Sequence, residues 1–143
     1  MNNQHINSLT EMHEFGKSLS KRLGGGSVCY FTGDLGAGKT SLIQGIMQGF
    51  EYTDAVTSPT YNLIHEYPTQ TLCVYHIDLY RLNTPEEAFE LGLEDIASNN
   101  NIVLIEWPEK GQGCIPKANC FIDIRTIAEK IEKRLVRVSV AIA

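Results

Sequence analysis

The 143-residue sequence predicts a single α/β domain with a mixed sheet, and three observations carry that reading. The run Gly33-Asp34-Leu35-Gly36-Ala37-Gly38-Lys39-Thr40 matches the phosphate-binding pattern G-x-x-x-x-G-K-[ST]. Val28-Cys29-Tyr30-Phe31 leads into it as an apolar strand, and Leu42, Ile43, Ile46 and Met47 leave it at helical spacing, so the loop has its strand–loop–helix context. Further on, Tyr61–Tyr67 and Thr71–Ile77 read as two strands joined by Pro68-Thr69-Gln70. This hairpin stands where a crossover helix would be expected, which makes the sheet mixed.

The other elements follow in order. Ser8-Leu9-Thr10-Glu11 reads as a capping box opening a first helix, with Phe15, Leu19 and Leu23 as its apolar stripe and Gly24-Gly25-Gly26 closing it. The helix after the phosphate loop closes near Gly49, and residues 51–60 form a loop ending in Thr57-Ser58-Pro59-Thr60. Thr84 is placed to cap a short helix that has Pro85 first, Glu87 third and Leu91 last. Gly92 breaks it, and Leu93–Ala97 adds a turn or two. Ile102-Val103-Leu104-Ile105 is a continuous apolar run between Asn99-Asn100-Asn101 and Glu106, as expected of a buried parallel strand. Residues 109–113 are a loop. Cys120–Ile127 and Leu135–Ile142 close the chain as strands, the second alternating cleanly. No repeat or linker divides it. Residues 1–143 therefore read as one compact P-loop NTPase fold with an inserted β-hairpin.

Composition narrows the partners. With 12 Lys and Arg against 17 Asp and Glu, the net charge is −5, which argues against a broad nucleic-acid surface. The N-terminus lacks a basic stretch followed by an apolar core, and no apolar run is long enough to span a bilayer. Cys29, Cys73, Cys114 and Cys120 form no C-x-x-C pair and read as buried free thiols. These features together point to the cytoplasm and to no membrane partner.

The phosphate loop carries the chemistry. A triphosphate crowds several negative charges together, and backbone amides converge on it only where the chain curls tightly. Gly33, Gly36 and Gly38 permit that curl, and the N-terminus of the next helix adds partial positive charge. Asp34, Leu35, Ala37 and Ser41 complete the nucleotide-binding run; Lys39 supplies a point charge to the β and γ phosphates, and the Thr40 hydroxyl is placed to ligate Mg²⁺. From average residue usage the motif alone arises by chance in roughly one chain in two hundred of this size. Its flanking strand and helix make chance a poorer account still.

Such a site also needs a carboxylate near the metal, at the carboxyl end of a neighbouring strand. Glu106 ends the run Ile102–Ile105, and Asp78 ends the second hairpin strand. Both, with Lys39, are the candidate catalytic groups, and Thr40, Asp78 and Glu106 are the candidate metal ligands. Trp107, the sole tryptophan, either covers the site or meets a partner. Thr57, Ser58, Pro59 and Thr60 lie where a switch-like loop senses the γ-phosphate, although from spacing alone a plain Ser/Thr/Pro turn is the better reading. His76 reads most simply as a hydrogen-bonded sheet histidine.

These segments in this order, the phosphate loop, Ser58-Pro59-Thr60-Tyr61, His76-Ile77-Asp78-Leu79-Tyr80-Arg81-Leu82 and Ile105-Glu106-Trp107-Pro108-Glu109-Lys110-Gly111, resemble the TsaE (YjeE) family of bacterial ATPases in tRNA threonylcarbamoyladenosine biosynthesis. The resemblance spans nearly the whole chain and is looser after Lys117. It implies ATP or ADP on Leu35–Thr40, Mg²⁺ at Thr40 and Glu106, Asp78 near the metal or attacking water, and Thr60 and its neighbours as the switch. It further implies Trp107 at the nucleotide site or its partner-facing rim, and Leu9, Thr10 and Arg134 on the adenine side. It implies a TsaD–TsaB pair as partner, tRNA reached through that complex, and ATPase activity that is weak alone.

Rival functions are less well equipped. A small-molecule kinase needs an arginine-bearing lid, and Arg22, Arg81, Arg125, Arg134 and Arg137 form none. A GTPase needs an N/T-K-x-D motif, which the sequence lacks. A non-catalytic, nucleotide-gated binding module shares every residue with the ATPase, and turnover alone separates the two. No obvious arginine finger stands near the motifs, Arg81 being the one candidate for it.

Overall fold

The computed structural model describes residues 2–59, 63–127 and 134–140. Thr60 and Tyr61, and the expected strand end at Ile142, lie outside the described residues. Among the described residues, seven strands and three α-helices succeed one another as β1 (Asn2–Ile6), α1 (Leu9–Ser20), β2 (Val28–Thr32), α2 (Lys39–Gly49), β3 (Ile64–Pro68), β4 (Cys73–Asp78), α3 (Leu93–Ser98), β5 (Ile102–Glu106), β6 (Cys120–Thr126) and β7 (Arg134–Val140). They form one sheet in the order β1-β7-β6-β2-β5-β4-β3. The central strands β6, β2, β5 and β4 run parallel, while β1, β7 and β3 pair antiparallel, so the sheet is mixed as expected.

Strand alternation divides the core in two. Cys29, Phe31, Leu104, Val74 and Ile122 face α1 and α2, which contribute Met12, Leu19, Leu42, Ile43, Ile46 and Met47. Val28, Val103, Ile105 and Ile77 face the other way, beneath Leu79, Leu82, Ala88, Leu93 and Ile115. β5, covered on both sides, has all five residues buried, which is why it reads as an unbroken apolar run. The two helices meet closely because Gly16 and Gly45 lack side chains. A Cβ on Gly45 would stand 2.5 Å from the His13 carbonyl oxygen, and one on Gly16 would stand 2.7 Å from the backbone of α2.

Several expectations need correction. β1 was not expected, since Asn2–Ile6 carries only one aliphatic residue; it exists because β7 offers it an antiparallel edge. α1 ends at Ser20, before the three glycines, and Leu23 is buried beyond the helix. Ser8 accepts the Glu11 amide at 3.1 Å as a capping box requires, but the Glu11 carboxylate reaches the Asn7 amide instead of the Ser8 amide. Pro85–Leu91 is a 3₁₀-helix, and the extended Thr84 makes no side-chain cap to it. The four thiols are free, but only Cys29 and Cys120 are buried; Cys73 and Cys114 are half-buried.

Candidate functional site

The site lies at the carboxyl ends of β2, β5 and β4. Register sets its geometry: Asp78 pairs with Glu106 and His76 with Leu104, so period-two alternation turns His76, Asp78 and Glu106 to the face that carries α2. α2 begins at Lys39, directly after Gly38, whose φ of 110° is a conformation that side chains rarely adopt. Thr40, in its first turn, thereby reaches the two strand-end acids.

Four oxygens converge there. Thr40 Oγ1 stands 3.3 Å from Glu106 Oε2 and 3.1 Å from Ser58 Oγ. Ser58 Oγ stands 3.2 Å from Asp78 Oδ2 and 3.3 Å from Glu106 Oε2. A hydroxyl has one proton, so Ser58 cannot satisfy both carboxylates fully. Two carboxylates and two hydroxyls make a hard-oxygen donor set, the kind Mg²⁺ prefers. Among the described residues no three His, Cys, Asp or Glu side chains cluster to hold a metal alone. That suits an ion that keeps its waters and shares phosphate oxygens rather than filling an all-protein cage. The residues therefore fit Mg²⁺ bound together with a nucleotide.

Lys39 is only 5% exposed. Its ammonium donates to the Gly33 carbonyl and lies 3.7 Å from the centroid of the Trp107 ring. Burial pulls its pKa below the ordinary lysine range, while Glu106, Glu109, Asp78 and Asp34 pull it back up. Trp107 itself has φ 57°, and Tyr80 stacks on it at 4.8 Å and 21°. Trp107 is thereby placed among the residues that line the cavity beside the loop. A cavity of about 270 Å³ is lined by Leu35, Gly36, Gly38 to Ser41, Ser58, Asp78, Tyr80, Glu106 and Trp107. A groove of about 720 Å³ continues from it past Pro59, Leu63, Arg81 and Lys110, with Leu35 exposed at the loop tip.

The adenine-side candidates gather on the other flank. Arg134 Nε donates to the Ala37 carbonyl at 2.8 Å, and Arg134 pairs in register with Ile6, just ahead of α1. Met12 would meet a Cβ on Gly38, so the exposed Leu9 and Thr10 begin the helix that abuts the loop. Thr57 contributes its carbonyl, held by Tyr67 Oη at 3.2 Å and His65 Nδ1 at 3.1 Å. Pro59 lines the groove.

Sequence reasoning missed the reach of His76, Tyr67 and Tyr80. His76 is fully buried, with Nε2 2.6 Å from Glu106 Oε2 and Nδ1 3.1 Å from Tyr67 Oη. A signal existed for His76: it stands two residues before Asp78 on the same strand, hence on the same face. Tyr67 gives no such signal, because its contact depends on how the hairpin folds over the loop at Thr57.

With this geometry in hand, likeness to known proteins adds identity. Residues 6–136 match the family described as threonylcarbamoyl adenosine biosynthesis protein TsaE. A tRNA threonylcarbamoyladenosine biosynthesis protein TsaE of Haemophilus influenzae is 42% identical over 126 residues, covering 85% of this chain and 80% of that one. Its namesake in Rickettsia bellii is 37% identical over 142 residues, covering 97% and 96%. The crystal structure of Bacillus subtilis YdiB superposes with a TM-score of 0.80 at 26% identity, covering 97% of this chain and 85% of that one.

Proposed function

The chain belongs to the TsaE family of threonylcarbamoyladenosine biosynthesis, and from that premise we propose that it is a Mg²⁺-dependent ATPase serving this modification at position 37 of tRNA. It would do so by activating or resetting a TsaD–TsaB complex, reaching tRNA only through that pair. The observation that carries the ATPase reading is the convergence of Lys39, Thr40, Ser58, Asp78 and Glu106 on one cavity at the strand ends. A cytoplasmic setting goes with this reading; no helix among the described residues is long and apolar enough to cross a membrane.

Each group has a task. The amides of Gly36 to Ser41 and the N-terminus of α2 hold the β and γ phosphates. Lys39 exchanges the Gly33 carbonyl for phosphate oxygens, a stronger charge-assisted contact. Thr40 and Glu106 would hold Mg²⁺, which supplies charge stabilisation at the phosphates as they separate. Asp78, with Oδ1 fixed by the Tyr80 amide at 2.9 Å, turns Oδ2 toward Ser58 in the cavity, where it would orient water. Thr57 to Thr60 serve as the switch-like loop, with Ser58 as the hydroxyl that enters the site. Leu9, Thr10 and Arg134 flank the adenine, and Trp107 covers the phosphates. Among the described residues none that lines the phosphate cavity is an arginine, and Arg81 lines the adjoining groove; a group from the partner complex would complete the site, and turnover alone would be weak.

Phosphate release from ATP, with and without TsaD–TsaB, tests this for the wild type, Lys39→Ala and Glu106→Ala. Turnover should rise with the partners and fall at least about a hundredfold in both variants, with nucleotide affinity retained better by Glu106→Ala. Absence of turnover in both settings, alongside intact nucleotide binding, would favour the non-catalytic binding module.

A further inference from the structure

The cavity's acid does not stand by itself. Behind Glu106 runs a buried chain of side chains that ends on the backbone of the switch-like loop. Glu106 Oε2 meets His76 Nε2 at 2.6 Å, His76 Nδ1 meets Tyr67 Oη at 3.1 Å, and Tyr67 Oη meets the Thr57 carbonyl at 3.2 Å. His65 Nδ1 lies 3.3 Å from the same Tyr67 oxygen. His76 is 0% exposed, Tyr67 3% and Glu106 3%, so water is largely excluded from the chain.

The protons have a consistent order. A carboxylate only accepts, so His76 Nε2 donates to Glu106. Its Nδ1 then accepts, and the single Tyr67 O–H lies within reach of both this nitrogen at 3.1 Å and the Thr57 carbonyl at 3.2 Å and is shared between them. Burial pushes the Tyr67 hydroxyl up to about 12, which keeps its proton in place at neutral pH. His65 can donate to Thr57 and Tyr67, so no buried side-chain polar atom among the described residues lacks a partner. Isolating a buried acid beside a metal would be costly, and a satisfied network instead holds it in one orientation.

We propose that His76 and Tyr67 are positioning residues that lock Glu106 and tie it to the loop at Thr57, so that the metal acid and the switch-like loop shift together. This deepens the ATPase reading and rests on Glu106 serving the metal. The hairpin β3–β4 then has a use: Tyr67 lies on β3 and His76 on β4, so the insertion carries the tether from loop to acid. Groups one step behind a metal ligand typically change metal affinity by about 10–100-fold when removed.

The test measures Mn²⁺ binding to the full chain saturated with ADP, reading free Mn²⁺ by electron paramagnetic resonance and checking folding by thermal unfolding. His76→Gln keeps an N–H near the Nε2 position and His76→Asn keeps one only near Nδ1. The Asn variant should bind Mn²⁺ about tenfold more weakly, and the Gln variant within about threefold of the wild type. Equal affinities in the two variants, whether normal or reduced, would overturn the proposal, since a mere filler of space cannot distinguish them in this way. Should the Asn variant fail to fold, Tyr67→Phe decides: at least threefold weaker Mn²⁺ binding supports the tether, and unchanged binding overturns it. Glu106→Ala serves as the control; if it binds Mn²⁺ like the wild type, the metal role of Glu106 falls, which is separable from a failure at His76.

Discussion

At the scale of single residues, Lys39 and Trp107 define the chemistry of the loop. A buried ammonium needs compensation, and here a carbonyl, an aromatic face and four surrounding acids provide it. Phosphate oxygens would take over that task, and the ring then has to shift or change neighbours. Because Trp107 is the sole tryptophan, its fluorescence reports this one place. Titration with ADP and Mg²⁺ should change its emission in the wild type and leave it flat in Lys39→Ala. A flat wild-type titration, with binding confirmed by calorimetry, would remove Trp107 from the nucleotide site.

At the scale of elements, the close crossing of α1 and α2 positions the loop. α2 begins at the phosphate site, so its height above the sheet sets where Lys39 and Thr40 stand. That height depends on Gly45 lying against the His13 backbone. Overpacking of this kind typically costs about 1–3 kcal/mol, and backbone cannot yield as a side chain can. Gly45→Ala should therefore lower the unfolding free energy read from a urea titration by an amount in that range and weaken nucleotide binding as α2 shifts. Gly24→Ala, whose added carbon meets nothing within 4 Å, should leave both nearly unchanged and is the matching control.

At the scale of the whole molecule, one cavity is built by parts distant in sequence: the phosphate loop and the start of α2, Ser58, and the ends of β4 and β5 with Tyr80 and Trp107 just beyond them; Arg134 of β7 braces the loop from outside through the Ala37 carbonyl. A ligand that bridges them stabilises the folded state by mass action, about 3 kcal/mol at a hundred times its Kd. Mg²⁺–ADP at that level should raise the melting temperature by about 5–10 °C. Chelating the metal should shrink the shift, and Lys39→Ala should abolish it. An equal shift in that variant would mean the ligand binds elsewhere.

The local motifs were legible because each is written in adjacent residues. The phosphate loop, the unbroken strand Ile102–Ile105, the hairpin and the strand-end acids Asp78 and Glu106 could all be read from spacing, and the sheet has the mixed character that the hairpin implied. What spacing could not supply was proximity. β1 owes its existence to β7 across the chain, Arg134 meets Ala37 from nearly a hundred residues away, and Ser58, Tyr67 and His76 reach the acid only through pairing and register. A sequence determines which side chains a strand turns to each face; only the folded sheet decides which strands lie side by side, and at this site that adjacency brings Thr40, Asp78 and Glu106 together.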